Sequence, residues 1–271
     1  MELVDIGINL THRSFDRDRE EVIERGAQAG VKTLIITGTS VHDSQRAAQL
    51  ARQRPATSFA TAGVHPHHAA ECDATTIDTL RALAADPHVV AIGECGLDFN
   101  RDFSPRDLQE RWFEAQLELA AELQLPVFLH ERDAADRFVA LLEEHRPRLA
   151  GGIVHCFTGT TATVERYLAL DLHIGITGWI CDERRGAGLV AAVRSIPLDR
   201  LMIETDGPFL LPRTLPRGLA HGRRNEPAFL PEVLKALARA IGRDELEIAT
   251  ATTQNARRLF RLPEARPSPY G

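Results

Sequence analysis

Residues 89–98 read VVAIGECGLD, an apolar run that leads directly to a carboxylate at Glu94. The run is short and rich in β-branched residues, which is typical of a parallel strand covered on both faces. An ionised carboxylate at the end of such a strand must be paired, bound to a metal ion or turned toward a cleft, because burying it alone is costly. Glu94 therefore marks a candidate functional position at a strand end.

The same kind of run recurs along the chain, and amphipathic stretches separate the runs. We predict eight strands, at residues 3–8, 33–38, 58–63, 88–93, 125–130, 152–156, 172–177 and 200–205. Eight alternating units without a linker or internal repeat predict an α/β fold, a single (β/α)8 TIM barrel. An open doubly wound sheet is the alternative, but the residues after the first strand, NLTHRSF, lack the G-x-G-x-x-G turn of dinucleotide-binding domains.

Helical periodicity is clearest over residues 104–124, where Ser104 is the predicted N-cap and Pro105 the first helical residue. Its apolar stripe predicts the face that packs against the barrel, formed by Leu108, Trp112, Leu119 and Leu123. A second helix near 18–29 is predicted to end at Gly30, because glycine suits a helix C-cap.

Length and composition indicate an ordinary globular protein. The 271 residues suit one barrel domain over 1–271, with a core at about 3–260 and a loose proline-rich tail. A net charge of −6 gives the whole molecule no general attraction for nucleic acid, so a phosphate site would need local basic residues. The four cysteines form no C-x-x-C pair, and no apolar run reaches the ~18 residues of a membrane span. We expect a cytoplasmic monomer with reduced thiols and no membrane partner.

Polar side chains lie at or near the ends of most predicted strands: Asp5, Asn9, His65, Glu94, His130, His155 and Asp206. In a parallel barrel these strand ends meet at one mouth, so residues far apart in sequence converge there. Each histidine alone is more often a hydrogen-bonded core residue than a ligand, and Glu94 alone could pair with an arginine. Their coincidence at strand ends instead predicts a divalent-metal site with the mixed nitrogen and oxygen donors that zinc, manganese or magnesium accept.

Basic residues also follow the strands. Arg132 comes two positions after His130, and a long loop at 207–226 carries a cluster of arginines, Arg213, Arg217, Arg223 and Arg224. Such a loop can be a solvated charged surface. Because it follows the strand that supplies Asp206, we favour a cationic rim for phosphate, which arginine binds well.

Several blocks of sequence resemble one known family. VVAIGECGLDFNRDFS, PVFLHERDA, VHCFTG, IGITGWICDERRG, LMIETDGPFLLPR and RRNEPA are similar to the TatD family of metal-dependent nucleases, and so are DIGINLT and ITGTS. The resemblance runs from about residue 3 to 260. It implies an amidohydrolase-like barrel and a cytoplasmic Mg²⁺- or Mn²⁺-dependent exonuclease, with Zn²⁺ also compatible. Its implied substrate is the 3′ end of single-stranded DNA or RNA, and its implied roles are nucleic-acid turnover and repair of damaged ends.

The resemblance also implies roles for individual residues. Glu94, His130 and His155 would bind the cation, with Asp206 as a further ligand or as the base that acts on the attacking water. His65, in AGVHPH, would contact the scissile phosphate or hold a second metal ion. The residues expected to contact substrate are therefore His65, Arg132, Arg224 and Asn9.

The chain departs from the family pattern at three places. Many members begin with D-x-H-x-H, but here Asp5, Gly7 and Asn9 occupy those positions, so we expect weak binding of a second metal ion. Glu131 stands where the family often has cysteine, and Gly207 where alanine is usual. Two other functions remain open: a different metal-dependent hydrolase acting on a phosphotriester, lactone or amide, and a non-catalytic metal-binding protein.

Overall fold

Eight parallel strands form the barrel in a computed structural model that describes residues 1–216, 218–219 and 222–263. The strands are β1 Leu3–Ile8, β2 Val31–Ile36, β3 Ser58–Ala62, β4 Val89–Asp98, β5 Val127–Arg132, β6 Gly152–Val154, β7 His173–Ile176 and β8 Leu201–Ile203. Each pairs with the next in sequence, all in parallel. This strand order confirms the predicted (β/α)8 barrel and excludes the alternative, an open doubly wound sheet. The predicted tail falls outside the described residues.

The barrel closes just beyond the end of β8. Ile8 forms a parallel bridge with Gly207, and the amide of Asn9 donates to the carbonyl oxygen of Gly207 at 2.9 Å. The amide of Asp206 donates to the carbonyl oxygen of Gly7 at 2.8 Å. Residues of the candidate site thus take part in the closure itself.

The helices are α1 Arg19–Gln28, α2 Val41–Gln53, α3 Thr76–Ala84, α4 Arg106–Leu123, α5 Ala135–His145, α6 Thr161–Ala169, α7 Ala187–Ala192, α8 Leu230–Ile241 and α9 Glu245–Phe260. Helices α1 to α8 alternate with the strands and cover the outside of the barrel, and α9 follows α8. No helix in the described part of the chain has the length and apolarity needed to cross a bilayer.

The barrel interior is a separate apolar core that α9 helps to complete. Strand residues such as Val4, Phe59 and Met202 form one buried cluster, to which Ala256, Phe260 and Leu262 contribute from α9 and the residues after it. Since Val4 and Phe59 lie near the starts of their strands, α9 covers the amino-terminal end of the barrel. The opposite, carboxyl end remains for the site.

The predicted contact face of α4 is confirmed at Leu119, which is buried in the core, but it is displaced by one position at Leu108 and Trp112. Leu108, Trp112 and Leu123 are only half-buried, while the fully buried face includes Gln109, Phe113, Gln116, Leu117 and Ala120. The two buried glutamines are bonded to backbone of the barrel, so polar residues occupy the inner face, which hydrophobic periodicity cannot reveal.

Two predicted helix ends also differ. Ser104 does not cap α4, because its hydroxyl donates to the carbonyl oxygen of His67 at 2.9 Å and accepts from the amide of Ala70 at 3.1 Å. Gly30 lies one residue beyond the C-cap Ala29, with a φ of +95° that favours glycine there.

Candidate metal centre

A β-bulge in β4 places Glu94 at the centre of the site. The strand was predicted to end at 93, but it continues to Asp98 because its last residues pair with β5, up to Asp98 opposite Arg132. The register shifts between Gly93 and Cys95, so Glu94 has no partner in the β5 register. Bulges of this kind re-aim a side chain, and they are common next to active sites.

Three histidines surround one carboxylate oxygen of Glu94. Oε1 lies 2.7 Å from Nε2 of His155, 3.0 Å from Nδ1 of His130 and 3.3 Å from Nε2 of His65. These residues come from separate strands or the loops after them, as strand-end convergence predicts. Donor atoms of His65, Glu94 and His130 are close enough together to share one metal ion.

The donor set fits a divalent cation. Among the described residues, Nε2 of His130 is buried without a hydrogen-bond partner, and Oδ2 of Asp98 is 3.6 Å away from it. A buried polar atom left unpaired is costly, and a metal ion would satisfy it. Imidazole nitrogens with carboxylate oxygens are ligands that zinc and manganese accept.

Charge in the site is balanced among these same groups. Burial alone would raise the pKa of Glu94, but His155, His65 and His130 outweigh it and hold that pKa well below its usual range. Burial lowers the pKa of His65 to about 4, so its imidazole is neutral at pH 7. Burial opposes charge on His155 too, yet Glu94 and Glu204 raise its pKa well above normal. Because metal ligation requires neutral imidazole, binding a cation would release protons.

Asp206 lies in the same cavity, next to Asn9. The amide Nδ2 of Asn9 donates to Oδ1 of Asp206 at 2.9 Å. Burial, helped by the charges of Glu94 and Glu204, raises the pKa of Asp206 to about 7. Both His155 and the carboxylate of Asp206 are outside the group of His65, Glu94 and His130, so their roles as metal ligands stay predictions.

Glu204 was not among the predicted site residues, and it contacts His155 on the ring nitrogen that faces away from Glu94. Its Oε2 lies 3.4 Å from Nδ1 of His155, and its Oε1 accepts from the amide of Cys156 at 2.5 Å. A carboxylate on one imidazole nitrogen fixes the ring so that the other nitrogen faces the metal position. The only sequence signal was a second acid beside Asp206 at the end of an apolar run.

Glu204 also explains the departure at Gly7. A Cβ atom on Gly7 would lie 2.2 Å from Oε2 of Glu204, and one on Gly175 would lie 2.5 Å from Oε1. Both glycines therefore make room for this carboxylate inside the barrel. Asp5 is turned away from the cluster, since it accepts from the amide and hydroxyl of Thr205 at 2.9 and 2.5 Å.

A second acid–histidine pair at the mouth was also missed. Nε2 of His67 lies 2.6 Å from Oδ2 of Asp98, at the end of the extended β4. The buried glutamines of α4 hold the backbone on either side: Gln116 bonds both the amide and the carbonyl of Val64, and Gln109 does the same for Asp98. The helix thereby sets the positions of the loops that carry these histidines.

The cavity above the cluster has a volume of about 540 Å³ and differs from the prediction in its basic residues. Glu94, His65, His130, His155, Asn9 and Asp206 all line it, together with Arg13 and Arg46, which were not predicted. Arg132 is exposed at the end of β5 and does not line the cavity.

The predicted arginine rim is wrong for Arg224. Its guanidinium bonds Asp18 at 2.6 and 2.7 Å and also contacts Glu226, so it ties the β8 loop to α1 instead of facing the cavity. Arg213 is paired with Asp182 at 3.0 Å, and Arg217 lies outside the described residues.

Histidines and carboxylates gathered at the carboxyl mouth of a (β/α)8 barrel define a metal-dependent hydrolase. The family model for TatD related DNase matches residues 4–261. The 3'-5' ssDNA/RNA exonuclease TatD of Erwinia tasmaniensis is 54% identical over 260 residues, covering 96% of this chain and 100% of that protein. That of Rahnella sp. is 54% identical over 264 residues, covering 97% and 100%.

The fold agrees with these relatives. The crystal structure of YJJV, a TatD homolog from Escherichia coli K12, superimposes with a TM-score of 0.86 at 30% identity and covers 96% of this chain and 98% of its own. The chain belongs to the TatD related DNase family.

Proposed function

We propose that this protein is a divalent-metal-dependent 3′-5′ exonuclease that hydrolyses the phosphodiester bonds of single-stranded DNA and RNA. The observation that carries the proposal is the convergence of three histidine nitrogens on Oε1 of Glu94 at the barrel mouth. The names of the relatives that match nearly the whole chain supply the reaction class and the polarity.

The residues divide into ligands and phosphate-handling groups. Glu94, His130 and His155 would hold the cation, with His65 beside them contacting the phosphate. A bound divalent cation supplies Lewis-acid chemistry and an activated water. Because Asn9 fixes Oδ1 of Asp206, we assign Oδ2 of that carboxylate to orient the attacking water and accept its proton.

Positive charge at the mouth would stabilise the phosphate as the P–O bond breaks. We assign this role to Arg13 and Arg46, which line the cavity, in place of Arg224, which does not. Asp43 and Asp206 share that lining, so the arginines also offset local negative charge that would repel a nucleic-acid backbone.

We further propose that Mg²⁺ or Mn²⁺ is the working ion. Gly7 offers no side chain and Asn9 offers an amide in place of an imidazole, so the site has fewer nitrogen donors than one with two more histidines. Magnesium and manganese favour oxygen donors, whereas zinc gains most from imidazole. We also propose that the protein acts as a cytoplasmic monomer in nucleic-acid turnover and end repair.

The decisive experiment uses single strands labelled at the 5′ or the 3′ end, incubated with Mg²⁺, Mn²⁺ or Zn²⁺ and with EDTA. We expect early release of the 3′ label, shortening of the 5′-labelled strand one nucleotide at a time, and loss of both with EDTA. Hydrolysis of chromogenic lactones, amides or phosphotriesters without oligonucleotide cleavage would favour the other hydrolase class. Absence of any metal-dependent hydrolysis would favour a non-catalytic protein.

A further inference from the structure

An exposed phenylalanine forms part of the wall of the active-site cavity. Phe209, three residues after Asp206, is 51% exposed, and among the described residues it is the one large exposed hydrophobic side chain that lines this cavity. Single exposed apolar residues are ordinary elsewhere on a protein surface. At this position the side chain borders the space that the substrate must enter.

The ring is held in place by residues of the site. The amide of Phe209 donates to the carbonyl oxygen of Asp206 at 3.0 Å, and the ring packs edge to face against His12 at 5.6 Å and 73°. His12 is itself fixed, because its amide donates to the carbonyl oxygen of Asn9 at 2.9 Å and its Nδ1 accepts from the amide of Ser14 at 3.1 Å. The pair His12 and Phe209 thus forms an aromatic wall on one side of the cavity.

The surroundings favour a nucleobase over other apolar ligands. Arg13 follows His12 directly, and Arg46 lies on the same cavity, so flat aromatic surface and positive charge occur together. Proteins bind single strands by this combination, with bases stacked on aromatic rings and phosphates met by basic side chains. The other exposed phenylalanine near the mouth, Phe103, packs on His67 at 4.7 Å and does not line the cavity.

We propose that Phe209 stacks on the base of the 3′-terminal nucleotide and thereby aligns the terminal phosphodiester with the metal centre. The inference rests on the proposed function and adds a base-recognition subsite to it. Stacking tolerates every base because each has an aromatic face, so the subsite would separate strands that end in a base from strands that end in an abasic nucleotide.

The test compares kcat/KM of wild type, Phe209→Ala, Phe209→Leu and Phe209→Trp, each in the Mn²⁺-loaded form. The substrates are one oligonucleotide and its analogue with an abasic 3′-terminal nucleotide. For the intact strand we expect a fall of roughly 5- to 150-fold in Phe209→Ala, mainly through KM, a similar fall in Phe209→Leu and near-normal values in Phe209→Trp. For the abasic strand, wild type and Phe209→Ala should be equally slow.

The matched control is Leu246→Ala, which removes a 60% exposed side chain from α9 and should change neither substrate. The stacking inference would be overturned if Phe209→Ala lowered kcat/KM equally on both strands. It would also be overturned if Phe103→Ala, and not Phe209→Ala, lowered kcat/KM on the intact strand only. Both results leave the exonuclease assignment standing. A wild type that degrades neither strand in Mn²⁺ would instead refute the proposed function, and the subsite with it.

Discussion

Replacing Gly7 by alanine should lower both stability and metal affinity, because the new Cβ atom collides with one oxygen of Glu204. The new Cβ would lie 2.2 Å from Oε2 of Glu204 and 3.1 Å from Cζ of Phe128. Gly7 is the next-to-last residue of β1, and its carbonyl oxygen accepts from the amide of Asp206 at 2.8 Å, so the barrel closure holds its backbone and the carboxylate must move. Moving it breaks or lengthens its contacts with the amide of Cys156 and the ring of His155.

The cost has two parts. Overpacking a buried site costs about 1–3 kcal/mol, and weakening hydrogen bonds to a charged group costs about 1.5–3 kcal/mol. We expect the free energy of unfolding of Gly7→Ala to fall by about 2.5–6 kcal/mol in total. Because His155 loses the group that orients its ring, Mn²⁺ affinity should also fall roughly 10- to 100-fold.

Urea unfolding followed by circular dichroism measures the first effect, and calorimetric titration with Mn²⁺ measures the second. Gly188→Ala is the matched control: a Cβ there meets nothing within 4 Å, and the residue lies in α7, so alanine should leave stability unchanged or slightly raise it. Glu204→Asp shortens the obstructing side chain, so the double variant should lose less than the sum of the single losses. A Gly7→Ala protein with wild-type unfolding free energy and Mn²⁺ affinity would refute the reasoning.

Three further outcomes are expected. Glu94→Ala should abolish metal-dependent hydrolysis while its circular dichroism spectrum stays native, and a normal rate in this variant would remove the metal centre from the proposal. Arg224→Ala should lower the free energy of unfolding by about 1–3 kcal/mol yet leave KM for oligonucleotides unchanged; a raised KM would restore it as a phosphate contact. The hydrogen bond from Arg224 lowers the pKa of Asp18 from 3.8 to about 2, so this carboxylate contributes stability above pH 4 that is lost as pH falls through 2. The difference in unfolding free energy between wild type and Asp18→Asn should therefore be about 1–2 kcal/mol at pH 5 and shrink toward zero by pH 2, and a difference that stays constant with pH would contradict it.

Strand positions and much of the site were predictable because they depend on local pattern. Parallel strands buried on both faces are short apolar runs, and the barrel brings their carboxyl ends to one mouth whatever lies between them. That was enough to bring together Glu94, His130 and His155. It also placed Asp206 in the same cavity.

The rest depends on tertiary contacts that no local pattern encodes. Gln116 is buried because it bonds the backbone of Val64, so polarity pointed to the wrong face of α4. Glycine is needed at position 7 because the carboxylate of Glu204, which follows β8 nearly two hundred residues later, occupies the adjacent space. Arg224 looked available because its partner Asp18 belongs to the region where α1 begins. In each case the deciding neighbour is distant in sequence.

The way α9 covers the barrel has a consequence for how the chain is made. Strands β1 to β8 place their inward side chains around a common interior, but Ala256, Phe260 and Leu262 are needed to cover its lower end. These residues are synthesised last among those that form the interior. Until they leave the ribosome, the amino-terminal end of the nascent barrel exposes apolar side chains. Such a surface is a target for chaperones and for aggregation, and a chain cut before α9 would keep it permanently.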